Sequence, residues 1–399
     1  MTDHYTLFGS YASYYTAKTR SYLRKKGIPF VERLPSHPDF RGKVRPVSGT
    51  AKIPQILTPE GEVVQDTVEI LDYLEARFPD LPAIPSTPRQ KVFVHLMELL
   101  ASEGLLMLAF QHRWLFTEEN RTFVRMDFGR SFKPQGTDEE LMKYGNVIGD
   151  NILGEKVKHL MGDAPEFHSF ADAFSRRGGP TDELKARLDR EYLGLLALME
   201  NHLISHPWFL GGHPSAADYA IMGALHAHMG RDPAGLQLMQ ANAPRVFRWV
   251  EHMIVPEVQS PEFYDRAIEY PGGDEVPDTA LKILHYIANL YAEKFILRAL
   301  AYNKAVERIS PEKGYVFDAE NIDAVLPAET VSYQGEEREA AASLYHTWIL
   351  QRAQGAFAAL SDADKTCVLE MLGAGLVADL LSVPLTTRVE RVNNRIVVA

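Results

Sequence analysis

The spacing of apolar and polar positions changes period several times along the chain, and each change predicts an element. "HYTLFG", His4 to Gly9, reads as a strand. The run from Thr16 to Lys26 then reads as a helix, with Arg24, Lys25 and Lys26 in its last turn and Gly27 as its stop. "IPFVERL" is a second strand, and "IPQILT" with "GEVVQ" alternates around "TPEGE", a proline- and glycine-bearing turn, to give a hairpin. "DTVEILDYLEARF" closes this part as a helix whose apolar face carries Val68, Ile70, Leu71 and Leu74. The predicted order is strand, helix, strand, strand, strand, helix.

From Ser86 onwards the period is almost wholly helical. "QKVFVHLMELLASEGLLMLAF" and "TDELKARLDREYLGLLALMENHL" predict long helices, and "NRTFVRMDFGRSFKPQGTDEE" and "SFADAFSRRGGPTDE" between them predict irregular excursions. Beyond Tyr270, "TALKILHYIANLYAEKFILRALAYNKAVERI" and "REAAASLYHTWILQRAQGAFAAL" again predict helices, and "RVERVNNRIVVA" a short terminal hairpin around Asn393 and Asn394. Two proline-rich joints, "FPDLPAIPSTPRQ" and "YPGGDEVPDTA", divide the whole into three. The expected domains are 1–80, 86–270 and a mainly helical extension over 279–399, packed on the second because its helices are too apolar to stand alone.

Composition narrows what such a chain does. Its 399 residues, 46% hydrophobic and 24% charged, suffice for a sizeable core in more than one domain. A net charge of -11 argues against a general nucleic-acid or anionic-membrane surface, so small molecules or proteins are the expected partners. The single cysteine, Cys367, excludes an internal disulfide, a CxxC redox pair and a zinc site of several thiolates, which fits a reducing, cytoplasmic compartment. No stretch is read as approaching the roughly 18 to 20 apolar residues of a membrane span, and Met1 to Thr6 does not open a secretory leader.

Several short motifs carry chemistry. Ser13 stands at the mouth of the first helix, where serine is favoured as a plain N-cap, with Ser10, Tyr11, Tyr14 and Tyr15 close by. Asp66 to Glu69 spells a capping box, Asp-x-x-Glu. Ser215 and Asp218 have the same spacing and a structural role, and His226 and His228, two apart on a helix, face different ways and make no metal site. Lys52 read alone is a solvated charge, and Pro54 starts an edge strand.

Taken in order, four of these motifs resemble the cytosolic glutathione transferases over roughly the first 270 residues. They are Ser13-Tyr14-Tyr15-Thr16-Ala17-Lys18-Thr19-Arg20, Lys52-Ile53-Pro54, Gln65-Asp66-Thr67, and "FLGGHPSAADYAIMGAL" in the helical half. The resemblance implies a thioredoxin-like N-terminal domain, an all-helical C-terminal domain and a helical extension: α/β followed by all-α. It implies glutathione as co-substrate without a metal, an apolar electrophilic small molecule as second substrate, a detoxifying role, and a homodimer. It also implies roles. Ser13 donates to the glutathione thiolate; Pro54 is cis and exposes the Ile53 backbone to the peptide; Lys52 meets the glycyl carboxylate. Asp66 receives the γ-glutamyl ammonium, and Thr67 its carboxylate.

Where many family members have proline this chain has Tyr14, whose hydroxyl is an alternative to Ser13. The absence of cysteine at Ser13 and Thr16 excludes a mixed-disulfide mechanism there, since a hydroxyl forms none. The activity expected is attack by the glutathione thiolate on the electrophile. A catalytically idle binding or scaffolding module is the alternative, and glutathione-dependent isomerisation or ether cleavage a further one. Met97, Leu100, Leu105 and Met107 would by resemblance wall the second substrate, although core packing accounts for them equally.

Overall fold

The structure is a computed structural model, and it describes residues 4–153, 182–317 and 325–399. It opens with β1 (Tyr5–Phe8), α1 (Tyr14–Lys25) and β2 (Phe30–Arg33). A single π-helical turn, Phe40–Val44, and α2 (Arg45–Ser48) lead to β3 (Gln55–Leu57), β4 (Val63–Gln65) and α3 (Thr67–Glu75). The sheet order is β2-β1-β3-β4, with β1 parallel to β2 and antiparallel to β3, which is antiparallel to β4. This small mixed sheet followed by helices is the predicted fold class. All four residues of β1 are buried, as befits a central strand covered on both faces.

The apolar run after the first proline joint forms one helical rod. It comprises α4 (Pro88–Leu99), a π-helical turn (Leu100–Gly104) and α5 (Leu105–Leu115). By length and composition the rod from Pro88 to Leu115 passes the test for a membrane span, contrary to the sequence reading. Of its most apolar 18-residue window 89% is buried within the protein, as a helix hydrophobic all round must be when it runs through a core. Met97, Leu100 and Leu105 lie fully inside.

"NRTFVRMDFGRSFKPQGTDEE", expected to be irregular, is mostly helical instead: all but Lys133–Thr137 falls in α6 (Thr117–Phe132) and α7 (Asp138–Leu153). Glycine explains the pair. A Cβ on Gly129 would stand 1.9 Å from the Leu141 carbonyl oxygen, and one on Gly145 1.8 Å from that of Arg125, so the two backbones touch where side chains would separate them. Most of "SFADAFSRRGGPTDE" lies outside the described residues.

Further helices follow: α8 (Asp182–His202), α9 (Ala216–Met222) continued by a π-helical stretch (Gly223–His228), α10 (Pro233–Asn242) and α11 (Pro244–Met253). The box at the start of α9 forms as read. Asp218 Oδ2 accepts from the Ser215 N–H and hydroxyl, both at 2.8 Å, and its Oδ1 accepts from the Phe209 N–H at 3.0 Å. Burial nevertheless raises the Asp218 carboxyl to about 6.

The extension begins with α12 (Asp278–Ile309), which packs on α8 and on the π-turn of the long rod. The run "REAAAS", expected to be helical, is instead strand: β6 (Glu336–Ser343) pairs antiparallel with β5 (Val325–Tyr333). Gln334 and Gly335, both at positive φ, make the turn, and Ser343 then caps α13 (Leu344–Ala358) by accepting from the His346 N–H. α14 (Asp362–Leu372) and α15 (Leu376–Ser382) follow, then the expected hairpin of β7 (Val389–Val392) and β8 (Arg395–Val398), turned by Asn393 and Asn394 at φ 48° and 61°. α13 lies along α4 and reaches the first domain as well, where Arg352 binds Asp72 of α3 through two bonds of 2.7 and 3.0 Å.

Candidate functional site

Strand register brings the candidate residues together. Phe8 pairs with Gln55, and Gln55 with Gln65, so the end of β1, the start of β3 and the end of β4 form one row across the sheet. Immediately beyond that row the chain runs into Gly9–Ser13, out of Lys52–Ile53–Pro54, and into Asp66–Thr67. Two helices, α1 and α3, therefore begin at the same sheet edge. The N–H groups of their first turns and their aligned dipoles make this edge favourable for anions.

Ser13 is the N-cap of α1, in extended backbone (φ -80°, ψ 122°), and its Oγ accepts from the Thr16 N–H at 3.2 Å. It is half-buried. Capping uses an oxygen lone pair, which leaves the hydroxyl proton for another acceptor. The loop before it is fixed from the helical half: Arg113 donates to the Ala12 carbonyl at 2.6 Å and Arg231 to that of Tyr11 at 2.7 Å. Arg113 is itself buried against Asp232, with bonds of 2.7 and 3.0 Å. Gly9 permits the turn out of β1, since a Cβ there would meet Thr16 at 2.2 Å.

The neighbouring hydroxyls are committed elsewhere. Tyr14 is buried and donates to the Ala101 carbonyl at 3.0 Å, its ring 5.4 Å from that of His228. Burial and the nearby Glu103 hold its phenol well above the ordinary value, so it stays neutral. Tyr15 donates to Glu103 Oε2 at 3.0 Å. Lys18 and Arg20 are inside the protein too: Lys18 Nζ lies 2.8 Å from Glu98 Oε1, with both side chains 3% exposed, and Arg20 grips Glu32 through two nitrogens. They fasten α1 to its surroundings.

The Ile53–Pro54 bond is cis. The Ile53 side chain packs against Phe8, Phe40 and Val44. The Lys52 carbonyl accepts from the Gln55 side-chain amide at 2.7 Å, and the Lys52 N–H donates to Thr50 Oγ1 at 3.2 Å. At the third corner Asp66 adopts φ 86°, ψ 144° and caps α3 by accepting from the Val68 N–H at 2.9 Å. This is a simple cap, where the sequence suggested the reciprocal box with Glu69. The Glu69 carboxyl is pushed up by burial, an effect that the cation of Arg391 opposes.

Sequence reasoning missed the residues that meet this corner from the extension. The Tyr345 hydroxyl donates to Asp66 Oδ2 at 3.0 Å, and Arg391 Nη1 donates to the Gln65 carbonyl at 3.0 Å. No local signal marks residues that arrive from 279 and 326 positions away. His226 and His228, set aside as ligands, are buried, and burial pushes His226 down to about 3. Among the described residues, no group of three or more metal-binding side chains occurs.

Comparison with known proteins matches two family models: the glutathione S-transferase N-terminal domain over residues 7–82 and the glutathione S-transferase C-terminal domain over 182–252. A probable maleylacetoacetate isomerase of Caenorhabditis elegans is 28% identical over 67 residues, which are 17% of this chain. The match spans about a third of that relative's length, 31%. Among solved structures, a glutathione transferase from Phanerochaete chrysosporium is 14% identical, over 65% of this chain and 92% of that one, at a TM-score of 0.38. A glutathione S-transferase of Methylobacterium radiotolerans in complex with glutathione sulfonate is 18% identical, over 69% and 98%, at 0.33. The β-etherase LigF of a Sphingobium strain is 16% identical, over 62% and 94%, at 0.41.

Proposed function

We propose, from the premise that this chain belongs to the glutathione S-transferase superfamily, that it binds glutathione along the sheet edge and holds its sulfur as thiolate for attack on an apolar, electrophilic small molecule. One observation supports this most: the register Phe8–Gln55–Gln65 gathers Ser13, Lys52–Ile53–Pro54 and Asp66–Thr67 at an edge where two helices begin.

The chemistry asked of the edge is modest. A thiol titrating near 8.5 needs a shift of one to two units to be ionised at neutral pH, roughly 1.4 to 2.7 kcal/mol. A hydroxyl donating to an anionic sulfur contributes about 1.5 to 3 kcal/mol, and a helix N-terminus about 0.3 to 1 more. Ser13 supplies the bond and α1 the dipole; the serine itself never ionises. The Ile53 backbone pairs with the peptide as an added strand does, Lys52 meets the glycyl carboxylate, and Asp66 with the N-terminus of α3 at Thr67 receives the γ-glutamyl head. The thiolate then forms a carbon–sulfur bond as the electrophile's leaving group departs with the bonding pair, or as an opened π-bond takes up a proton. The same thiolate would serve the isomerisation that the nematode relative's name describes.

A binding module without turnover is the second reading, favoured by the contact of Tyr345 with Asp66. Ser13→Ala separates the two. Loss of one charge-assisted bond predicts turnover lower by roughly ten- to a hundred-fold with glutathione affinity nearly unchanged. Steady-state kinetics with a chromogenic electrophile reads the first and calorimetry the second. Wild-type turnover in the variant would remove Ser13 from the chemistry.

A further inference from the structure

The corner of the edge assigned to the γ-glutamyl head is already covered. Thr67 is 4% exposed and the Asp66 side chain 12%. What covers Asp66 is the chain's own C-terminal part. Asp66 Oδ1 is taken by the Val68 N–H and Oδ2 by the Tyr345 hydroxyl. The Arg391 guanidinium sits 4.0 Å from Asp66 Oδ1 and donates to both oxygens of Gln65, while Asn394 donates to the Ser48 carbonyl at 3.0 Å. Trp348 backs both groups, 5.6 Å from the Tyr345 ring and 5.6 Å from the guanidinium carbon.

A neutral O–H donor and a cation on a carboxylate at a helix N-terminus are the interactions that an α-ammonium group would make there. An incoming ammonium meets an acid whose two oxygens are both engaged. The covering contact is also an imperfect one. The direct hydrogen bonds of Arg391 all go to neutral oxygens, those of Gln65 and Asn394, and its Nε–H is buried without a partner among the described residues. A buried guanidinium held 4.0 Å from its carboxylate, with one N–H unmatched, is costlier than one hydrogen-bonded to that carboxylate directly. Helix α13 is fastened through Arg352 and Asp72, and the β7–β8 hairpin is tied to it by Gln351, which accepts from the Val389 N–H and donates to the Val389 carbonyl, so exchange moves the Tyr345 and Arg391 side chains while the elements that carry them stay docked.

We propose that Tyr345 and Arg391 are residues of the peptide site as its resident internal ligand, and that glutathione binds by exchange for them. This rests on the assignment of the edge to glutathione. The extension thereby sets which thiols the site admits: a ligand must bring enough donors to Asp66 to displace the hydroxyl and the cation.

The test is calorimetric titration of glutathione into the full-length wild type, Tyr345→Phe and Arg391→Gln, with tryptophan emission followed in parallel. Removing an internal competitor predicts tighter binding in both variants, about ten-fold each, equivalent to ~1.4 kcal/mol. Saturating glutathione should also shift wild-type emission to the red as Trp348 is uncovered, a change that disappears in Trp348→Phe. Tyr345→Phe is nearly isosteric and keeps the test open should the arginine variant fold poorly. Binding in the variants where the wild type shows none would support exchange equally. Unchanged or weaker affinity in the folded variants, with a wild type that binds, overturns the proposal and leaves the peptide site standing. If wild type and both variants all fail to bind millimolar glutathione, the peptide site itself falls, and the exchange with it.

Discussion

Replacing Glu98 by glutamine tests how the helical rod holds the first domain. Glu98 Oε1 lies 2.8 Å from Lys18 Nζ, and Oε2 lies 3.8 Å from both His95 Nδ1 and Arg352 Nε, with its side chain 3% exposed. Burial pushes its carboxyl up, yet Lys18, His95 and Arg352 outweigh that and hold it far below the usual carboxylate range. Glutamine keeps the shape and removes the charge, which strands Lys18 at 3% exposure without a counter-ion. Breaking a buried pair from one side costs about 3 to 5 kcal/mol. Arg352 keeps its two bonds to Asp72, so the loss concentrates at Lys18. At about 2 to 4 °C per kcal/mol the thermal midpoint should fall by roughly 6 to 20 °C, readable by scanning calorimetry or circular dichroism. Glu98→Leu with Lys18→Met should recover most of it, because an apolar pair of similar size needs no desolvation. A Glu98→Gln midpoint within two degrees of wild type, taken as about 1 kcal/mol or less, would refute the reasoning.

Two further outcomes follow from burial. Burial lowers His112 and His202 to about 4 and His226 to about 3, so each is neutral when folded and takes up a proton on unfolding below its ordinary 6.5. Stability is then complete above pH 6.5 and falls as pH drops, by about 1.4 kcal/mol per pH unit for each histidine; a urea midpoint that is flat between about pH 6.5 and 5 would contradict this. Tyr14→Phe should leave turnover within about two-fold of wild type and cost about 1 kcal/mol of stability through the bond to Ala101, whereas a ten-fold loss of turnover would give Tyr14 the role assigned to Ser13.

What was legible in the sequence was local. In the first domain β1, α1, β2, β3, β4 and α3 follow from period and turn residues, whereas the short π-turn and α2 between β2 and β3 do not; the Asn393–Asn394 hairpin follows from two residues that tolerate positive φ. Helix α6 is hidden because its contact with α7 is made at glycine backbones and its own apolar residues form no stripe to read. "EEREAAAS" is rich in helix formers, and only pairing with β5 makes it a strand. The candidate site divides in the same way. Ser13, Lys52, Ile53, Pro54, Asp66 and Thr67 lie in short motifs next to turns. Tyr345, Arg391 and Arg113 act across the tertiary fold, where neither period nor spacing gives a signal.

Ultraviolet absorbance of bound thiolate tests most directly whether the sheet edge ionises a thiol. With calorimetry establishing saturation, wild-type protein and glutathione should develop the thiolate band between about pH 6 and 8, at least one unit below the roughly 8.5 of a free thiol. Ser13→Ala should bind the peptide yet return the band towards that free value. Saturated binding by the wild type with no thiolate band below about pH 8 would contradict the transferase reading and leave a module that binds without turnover.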